Sequence, residues 1–522
     1  MISGAFILLV LVIVFLVAWR IRVEQKYQID LEPCRHNLKI IGAALAKSRT
    51  DRYPKSLGEL VPEYLREIPR CPSDPVDLPY GYVSHVPSGD DSPAIFTLIC
   101  NFHALSLNSN SEFHQGKGRG LPPEKVEELN LAGCSLGSWP SELQRYRNLR
   151  MLNLANNRLS ALPPDIGRWD KLEVLDVSEN FLEELPAQVT TLKRLRVLEV
   201  ESNHLTRLPP SLSGLISLTD LDASDNRLVT LPDLSGLQRL QRLKLDVNSL
   251  QALPASLGKL QSLEELYLMF NKLEGLPPEI GNLRRLRILY ADMNPLTSLP
   301  PSIRGCSSLA VLTLRVSPIS ALPAAVGQLP ELKYLSLEKC WNLKELPDLS
   351  GLKRLQVLEI LESGLTALPA SLGQLESLEH LQVICTNLEA LPTEVGNLRK
   401  LRVLDLQSNN LTRLPSSIGG CARLEVLSLD GNRLTVLPSE IGKLRNLRVL
   451  SANSNRLASL PPSIGSCSRL VELYLEGNQL RTLPAEMKRL SRLQKLYLGG
   501  NRLSEKTRIQ LRDSLPLCNI HW

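Results

Sequence analysis

The protein has 522 residues, of which 43% are hydrophobic but only 4% aromatic, so its core must be built from aliphatic side chains. Its 60 Lys and Arg side chains nearly balance 54 Asp and Glu, and a net charge of +6 does not indicate a nucleic-acid partner. The ten cysteines lack the tight spacing of a zinc site or of a dense disulfide scaffold, so neither class of protein is indicated.

The first 19 residues contain no charged side chain and would span ~28 Å as a helix, close to the ~30 Å hydrocarbon thickness of a bilayer. We predict an uncleaved transmembrane anchor over 1–19. A cleavable signal peptide is the alternative, but Trp19 and Arg20 follow the apolar run directly, without a small-residue cleavage site. Because Arg20, Arg22 and Lys26 follow the span and no basic residue precedes it, the rest of the chain is predicted to be cytoplasmic, with the opposite orientation left open.

Residues 20–115 are predicted to form a small α+β head. The stretch CRHNLKIIGAAL from Cys34, then IPRCPS at 68–73 and FTLIC at 96–100, resembles the head of bacterial pilin-like proteins, which also follows an N-terminal helix. Type IV prepilins carry a glutamate soon after a cleaved glycine, whereas Gly4 is followed here by AFILLV. Polymerisation like that of a pilin is therefore not expected.

Residues 116–125 are predicted to be a linker. The segment GKGRGLPP lacks the Lys-Ser/Thr ending of a phosphate-binding loop. Upstream of it, His103 and His114 lie near Cys100, but their spacing matches no metal-site template. We therefore expect neither a metal nor a cofactor in this part of the chain.

From Val126 onward a 23-residue template recurs, Leu-x-x-Leu-x-Leu-x-x-Asn-x-Leu-x-x-Leu-Pro-x-x-Ile/Leu-Gly-x-Leu-x-x. Two departures occur: a deletion at Pro232-Asp233, and an insertion near Trp341 that is offset by a deletion at Pro347-Asp348. The template predicts seventeen repeats over 126–503. Their first positions are Val126, Leu149, Leu172, Leu195, Leu218, Leu240, Leu263, Leu286, Leu309, Leu332, Leu355, Leu378, Leu401, Leu424, Leu447, Leu470 and Leu493.

Each repeat predicts one short parallel strand, because in Leu-x-x-Leu-x-Leu the alternate leucines face one side of the sheet and the residues between them face the other. The Asn is expected to bond backbone groups and to link adjacent coils, Leu-Pro to end the strand pattern, and Gly to permit the return turn on the convex side. Cys306, Cys421 and Cys467 replace a repeat Leu and are interpreted as small buried hydrophobes. Residues 504–522 are predicted to cap the last repeat with an amphipathic helix.

This pattern is similar to the leucine-rich repeats of Ras-binding scaffold proteins, of plant intracellular Ras-group relatives and of many bacterial repeat proteins. The resemblance covers about three quarters of the chain. It implies an α/β solenoid with a curved parallel sheet, and it implies protein binding without naming a partner.

Acidic side chains are concentrated at outward positions of the third to sixth repeats. Because the whole protein has a net positive charge, this local acidic region favours electrostatic steering of a partner with a basic surface. A face that is charged only to remain solvated is the alternative. The acids are Glu173, Asp176, Glu179, Glu199, Glu201, Asp220, Asp222, Asp225 and Asp246, against the bases Arg196, Arg242 and Lys244.

Apolar side chains stand at outward positions further along. Exposed Met and aromatic residues on a sheet are typical of a binding patch, and Phe270 is predicted to be its centre. The predicted patch consists of Tyr267, Met269, Phe270, Tyr290, Met293, Val316, Leu361 and Ile384. In nearly the same stretch the Asn place is filled by Ser317, Cys340, Ser363 and Thr386, while twelve of the seventeen repeats keep Asn.

The residues predict a non-catalytic scaffold in a bacterial inner membrane that binds a protein partner on its concave face. The chain has only seven His, lacks the Gly-x-Ser-x-Gly and His-Glu-x-x-His motifs, and shows no further domain after the predicted cap, which argues against an enzyme. The alternative is a pilin-like subunit of a secretion or pilus apparatus that carries a repeat domain for adhesion or recognition.

Overall fold

The structure, a computed structural model, describes residues 123–522. The predicted anchor, the predicted head with His103 and His114, and most of the predicted linker lie outside the described residues. Between 123 and 522, no helix is long and apolar enough to cross a bilayer.

The described residues form one sheet of eighteen parallel strands, confirming the predicted solenoid. The strands are β1 Glu128–Asn130, β2 Met151–Asn153, β3 Val174–Asp176, β4 Val197–Glu199, β5 Asp220–Asp222, β6 Arg242–Lys244, β7 Glu265–Tyr267, β8 Ile288–Tyr290, β9 Val311–Thr313, β10 Tyr334–Ser336, β11 Val357–Leu361, β12 His380–Ile384, β13 Val403–Asp405, β14 Val426–Ser428, β15 Val449–Ser451, β16 Glu472–Tyr474, β17 Lys495–Tyr497 and β18 Asn519–His521.

The register of the sheet follows the repeat period. Leu152 pairs with Leu175, and Leu175 pairs in turn with Leu198. All three leucines are fully buried, because one face of every strand packs against the leucines that follow the strand in its own and adjacent coils. No single coil encloses a hydrophobic core, and the core forms only when adjacent coils stack.

On the side opposite the sheet, most repeats make a 3-10 helix that begins directly after the Leu-Pro pair. Pro277, for example, is extended at φ −67° and ψ 147° and precedes the helix Pro278–Asn282. The 3-10 helices are Pro123–Lys125, Ser141–Arg145, Pro164–Arg168, Ala187–Thr191, Leu212–Gly214, Ala255–Lys259, Pro278–Asn282, Pro301–Gly305, Val326–Gln328, Ala370–Gln374, Thr393–Asn397, Ser416–Gly420, Ser439–Lys443, Pro462–Ser466 and Ala485–Arg489.

The glycine of the template has a different role from the one predicted. Gly281 does not adopt a left-handed φ, and a Cβ placed there would lie 2.2 Å from the carbonyl oxygen of Ser302 in the next repeat. The glycine therefore permits close approach of adjacent coils rather than an unusual turn.

The two coils with a deletion after the Leu-Pro pair lack a 3-10 helix. In the first, the Asp233 carboxylate accepts the amide of Ser235 at 3.1 Å and its hydroxyl at 2.7 Å. In the second, Asp348 holds Ser350 in the same way at 3.0 and 2.8 Å. An Asp-centred turn thus replaces the helix where one residue is missing.

The repeat asparagines link adjacent coils as predicted. Asn180 donates its amide to the Leu154 carbonyl of the preceding coil at 2.9 Å, and its side-chain oxygen accepts the Leu159 amide at 3.0 Å. We call this series the asparagine ladder. It runs from Asn157 to Asn294 and resumes at Asn409.

Where the ladder is interrupted, two strands lengthen. Most strands have three residues, whereas β11 and β12 have five, paired from Val357–His380 to Leu361–Ile384. In one ladder-free coil, Cys340 places its sulfur 3.1 Å from the Leu314 carbonyl oxygen. Cys306, Cys421 and Cys467 are fully buried, as the sequence predicted, and burial raises the pKa of Cys467 to about 11.

At the C-terminus, the predicted helix forms as α1, Glu505–Ser514, with the Ser504 hydroxyl accepting the Thr507 amide. The chain then returns to the sheet as β18, which extends the sheet beyond the seventeen predicted strands. The imidazole of His521 stacks on Tyr497 with ring centroids 4.2 Å apart. The last repeat is therefore covered by a helix and by one more strand.

Candidate functional site

Three columns of side chains run across the outward face of the sheet, which is the concave face of such a solenoid. We name them by their position in the coil. The third-strand column contains Asp176, Glu199, Asp222, Lys244, Tyr267, Tyr290, Thr313, Ser336 and Glu359. The flanking column, two residues later, contains Glu201, Ser224, Asp246, Met269, Asp292, Arg315, Glu338, Leu361 and Ile384. The left-handed column, one residue further, contains Asp225, Val247, Phe270, Met293, Val316 and Lys339, all with positive φ.

Two of the acids predicted to face a partner are already paired. Lys244 Nζ lies 2.9 Å from Asp222 Oδ2, and Arg242 forms an ion pair with Asp220. Asp222 is only 5% exposed. Each base stands on the strand next to its acid, because the register places residues of neighbouring coils side by side. These two acids are thus engaged within the sheet, which sequence spacing alone does not reveal.

Glu173 is also paired, with Arg150 at 2.7 Å, whereas the remaining acids of the stretch are less compensated. Glu201 and Asp225 are exposed, and Asp176 and Glu199 are half-buried in register with one another. Burial, together with the nearby charge of Asp222, raises the pKa of Glu199 to about 7. A surface that keeps half-buried carboxylates close together is poised to accept positive charge.

Asp246 marks the boundary between the acidic and apolar stretches. Its Oδ1 accepts the backbone amide of Met269 at 2.6 Å, so it also supports the next coil. Burial raises the pKa of Asp246 to about 7, although the bond from Met269 acts in the opposite direction. The boundary therefore contains a carboxyl group that titrates near neutrality.

Tyr267 and Tyr290 are in register and form an edge-to-face pair, with ring centroids 5.3 Å apart. The Tyr267 hydroxyl donates to Glu265 Oε2 at 2.8 Å. Burial and Glu265 raise the pKa of Tyr267 far above its ordinary value, so the phenol stays protonated. The pair presents a rigid, half-buried aromatic surface beside the predicted patch.

Four apolar residues follow one another in the left-handed column. Val247, Phe270, Met293 and Val316 have φ values of 54°, 54°, 56° and 54°. Val247 is 46% exposed, and the other three are half-buried. We call these four residues the apolar ridge. The left-handed conformation is rare for large side chains and rarest for β-branched ones, so the ridge places large apolar residues where Gly, Asn or Asp would fit with less strain.

Leu361 and Ile384 belong to a second apolar spot. They pair at the ends of β11 and β12, at ~20 Å from Phe270 if each of the intervening coils adds ~4.8 Å. The predicted single patch is therefore divided in two.

A charged network separates the two spots. Arg315 donates to Tyr334 Oη at 2.7 Å and to Ser336 Oγ at 2.9 Å, and it lies 3.3 Å from Glu359 Oε2. Its backbone amide donates to Asp292 Oδ1 at 2.7 Å. Sequence reasoning missed this network because its members come from four different repeats.

The family models for the leucine-rich repeat region and the leucine-rich repeat match residues 126–252, 262–283, 376–434 and 445–503. A leucine-rich-repeat protein of Leptospira interrogans is 30% identical, and the match covers 77% of this chain and 96% of that one with a TM-score of 0.55. This chain belongs to the leucine-rich-repeat family.

Other solved leucine-rich-repeat structures are similar over much of the solenoid. The ectodomain of the Arabidopsis thaliana receptor kinase GASSHO1/SCHENGEN3 is 30% identical, with 72% of this chain matched and a TM-score of 0.50. The match covers only 50% of that ectodomain. The Drosophila Toll structure, at 20% identity, 73% of this chain, 51% of that one and a TM-score of 0.55, shares the fold. No curated protein sequence matches the chain significantly.

The leucine-rich-repeat register explains two features that the sequence reasoning missed. Val247 occupies the same column as Phe270, one coil earlier, and could have been found by aligning that column through the shortened repeat. Tyr474 stacks on Tyr497 with centroids 4.8 Å apart, and these rings share the column of Tyr267. The last strands of the sheet, β16 and β17, therefore carry a second aromatic surface. Within 123–522, no group of three or more potential ligands is arranged to hold a metal.

Proposed function

We propose that this protein is a non-catalytic leucine-rich-repeat scaffold that binds a protein partner across its concave face. The partner covers the apolar ridge and presents basic groups to the adjacent acidic stretch. Residues 1–19 tether the scaffold to a bacterial inner membrane, with the repeats in the cytoplasm.

The observation that carries this proposal is the apolar ridge. A non-glycine residue in the left-handed region costs roughly 1–2 kcal/mol relative to right-handed backbone, and more for a β-branched residue. The same column carries glycine at Gly431, Gly477 and Gly500, so the fold accepts the less strained choice. Four consecutive large apolar residues at strained and solvent-accessible positions stabilise neither the local backbone nor the leucine core. Contact with a partner accounts for their presence.

The neighbouring tyrosines support the same surface. Tyr267 and Tyr290 are already held by mutual ring contact and by Glu265, so they lose little conformational entropy on binding. Aromatic and Met side chains are enriched at interface centres, where truncation typically costs ~2 kcal/mol or more. We therefore place the main contact between Val247 and Val316, and a secondary contact at Leu361 and Ile384.

The acidic stretch determines the charge of the partner. Glu201 and Asp225 are exposed and have no basic neighbour as close as those of Asp220 and Asp222. Exposed charges at the edge of an interface mainly increase the association rate, and their effect weakens with salt. A basic partner would thus be oriented by this region and held by the ridge. The Arabidopsis ectodomain was solved in complex with CASPARIAN STRIP INTEGRITY FACTOR 2, which is consistent with partner binding by this fold.

Membrane attachment rests on the sequence of residues 1–26. The uncharged run 1–19 supports a span, and Arg20, Arg22 and Lys26 support a cytoplasmic C-terminal side. The alternative proposal, a pilin-like subunit of a secretion or pilus apparatus, rests on the motifs between Cys34 and Cys100. The intact mass of the purified protein tests the span, since removal of residues 1–19 would contradict a retained anchor.

Site-specific crosslinking in the native host tests the binding face. A photoreactive phenylalanine analogue at position 270 should form a defined crosslinked band, whereas the same analogue at the exposed convex position Arg304 should not. The band should disappear when Val247 and Met293 are both changed to Ser. Equal crosslinking from both positions, or a band insensitive to the ridge, would contradict the proposal.

A further inference from the structure

A notch of about 460 Å³ lies beside the N-terminal ends of strands β4, β5 and β6, away from the apolar ridge. It is lined by Arg194, Arg196, Arg239, Ser217, Thr219 and Glu173, with Arg150 at one end. Four arginines against one glutamate leave a net charge of +3. The notch is thus opposite in sign to the acidic stretch carried by the same repeats.

The positive charge arises where a ladder of alternating charges ends. Glu127, Arg150, Glu173 and Arg196 follow one another at the same position of four successive coils. Arg150 lies 2.7 Å from Glu173 and 3.7 Å from Glu127, so these three charges largely compensate one another. The next coil carries Thr219, so Arg196 has no acid on its far side.

Arg194 and Arg239 stand two coils apart, separated by ~10 Å of sheet. Neither of them, nor Arg196, makes an ion pair with any residue in the described part of the chain. Between them, Ser217 contributes a short side chain whose hydroxyl has no hydrogen-bond partner among residues 123–522, whereas the Thr219 hydroxyl donates to Asp220 at 2.6 Å. The notch therefore offers three uncompensated guanidinium groups and one free hydroxyl.

The chain provides an internal comparison at a second charge ladder, Glu379, Arg402, Glu425 and Arg448. There the position of Ser217 is taken by Arg469, which donates to Asn446 Oδ1 at 2.8 Å. The position of Arg194 is taken by Asn446. The second ladder thus ends in a filled and hydrogen-bonded surface, and the small side chain of Ser217 is what opens the first.

We propose that the notch formed by Arg194, Arg196, Ser217 and Arg239 binds a phosphate group. A carboxylate is satisfied by one bidentate guanidinium, whereas a phosphate monoester carries about two negative charges and three terminal oxygens, which matches several guanidinium forks and a hydroxyl. Binding also relieves the repulsion among the three arginines. This site is independent of the partner proposed for the concave face.

Isothermal titration of the full chain with pyrophosphate, at fixed ionic strength, tests the site. We expect saturable binding that weakens at least tenfold in Arg194→Ala with Arg239→Ala. The matched control, Arg448→Ala with Arg469→Ala, removes the same charge from the second ladder and should leave the affinity unchanged. Absence of saturable binding, or equal weakening in both double variants, would overturn the proposal.

Ser217→Arg separates a shaped site from general attraction. It adds a positive charge but fills the notch as Arg469 fills its counterpart, so it should weaken pyrophosphate binding; stronger binding would overturn the proposal. Inorganic phosphate, phosphoserine and phosphatidylserine vesicles distinguish the sources of the group. Binding to the vesicles without binding to pyrophosphate, inorganic phosphate or phosphoserine would overturn the phosphate site and indicate a lipid-facing surface instead.

Discussion

The coils from Asn157 to Asn294 and the four coils that follow them differ in how they satisfy the hydrogen bonds of equivalent backbone groups. In the first segment, one buried amide bonds carbonyls of its own and the preceding coil, as Asn271 does with Leu245 and Leu268 at 2.9 and 3.2 Å. In the second, Ser317, Cys340, Ser363 and Thr386 cannot make this set of bonds, and β11 and β12 pair over five residues instead.

The difference shows that the asparagine ladder is replaceable where backbone pairing takes over. It also separates two kinds of surface. The ladder segment contains three of the four ridge residues and the half-buried acids, while the ladder-free segment contains the last ridge residue, Val316, most of the Arg315 network and the Leu361–Ile384 spot. Predictions that compare matched positions in the two segments therefore test both the fold and the proposed binding face.

The largest expected effect is on stability. Asn271→Ala should lower the free energy of unfolding by about 3 kcal/mol, because it leaves buried carbonyls and the Leu250 amide without their partner. Ser363→Ala, the ladder-free counterpart, should cost less than about 1 kcal/mol. Urea unfolding with local hydrogen exchange measures both, and equal costs would remove the distinction between the segments.

Binding should depend more on the ladder segment. Once a partner is crosslinked and identified, Phe270→Ala should weaken its affinity by about 2 kcal/mol, or roughly 30-fold, because Phe270 lies within the apolar ridge. Leu361→Ala should have a smaller effect. Calorimetric titration measures both, and the reverse order would move the centre of the interface to the ladder-free segment.

The acids of the ladder segment should make stability depend on pH. The folded-state pKa values of Glu199 and Asp246 are raised to about 7 from ordinary values of 4.5 and 3.8, so the folded state holds these protons more tightly than the unfolded state. Stability should therefore fall as the pH rises from about 5 through 7.

Glu199→Gln with Asp246→Asn should raise the melting temperature at pH 8 and flatten this dependence, by an amount on the order of 1 kcal/mol. The amide side chain introduced at position 246 keeps an oxygen that can accept the Met269 amide. Glu362→Gln in the ladder-free segment is the control, since Glu362 is exposed. A wild-type protein that is more stable at pH 8 than at pH 6 would contradict the account.

The smallest effect concerns backbone strain. Val247→Gly should stabilise the fold by up to about 1 kcal/mol, since glycine adopts a φ of 54° without the clash of a β-branched side chain. The same change should weaken partner binding. Cys385→Gly, at a φ of 53° in the ladder-free segment, should also stabilise but should leave binding intact. Thermal unfolding and titration of both variants separate strain from recognition.

The residue pattern predicts the repeat period, the buried leucine columns, the linking role of the asparagines and the terminal helix. The first three features depend on contacts that recur in most coils, so the 23-residue spacing predicts them, and the terminal helix is predicted where that spacing stops. Alternation after Tyr267 also predicts an outward Met269, whereas the outward position of Phe270 and Met293 depends on their left-handed backbone.

Which outward residues act together depends on contacts between coils and cannot be read from the residue pattern. The pairing of Asp222 with Lys244, the Arg315 network and the notch around Ser217 join side chains from two to four coils, and each depends on how long side chains orient across the register. The left-handed φ of the apolar ridge and the close approach at Gly281 recur with the repeat, but residue spacing alone does not reveal which backbone conformation each position adopts. The repeat pattern of the sequence specifies that the coils stack. The chemistry of the outward face depends on side chains roughly 20 to 50 residues apart in sequence, because parallel stacking brings them within contact distance.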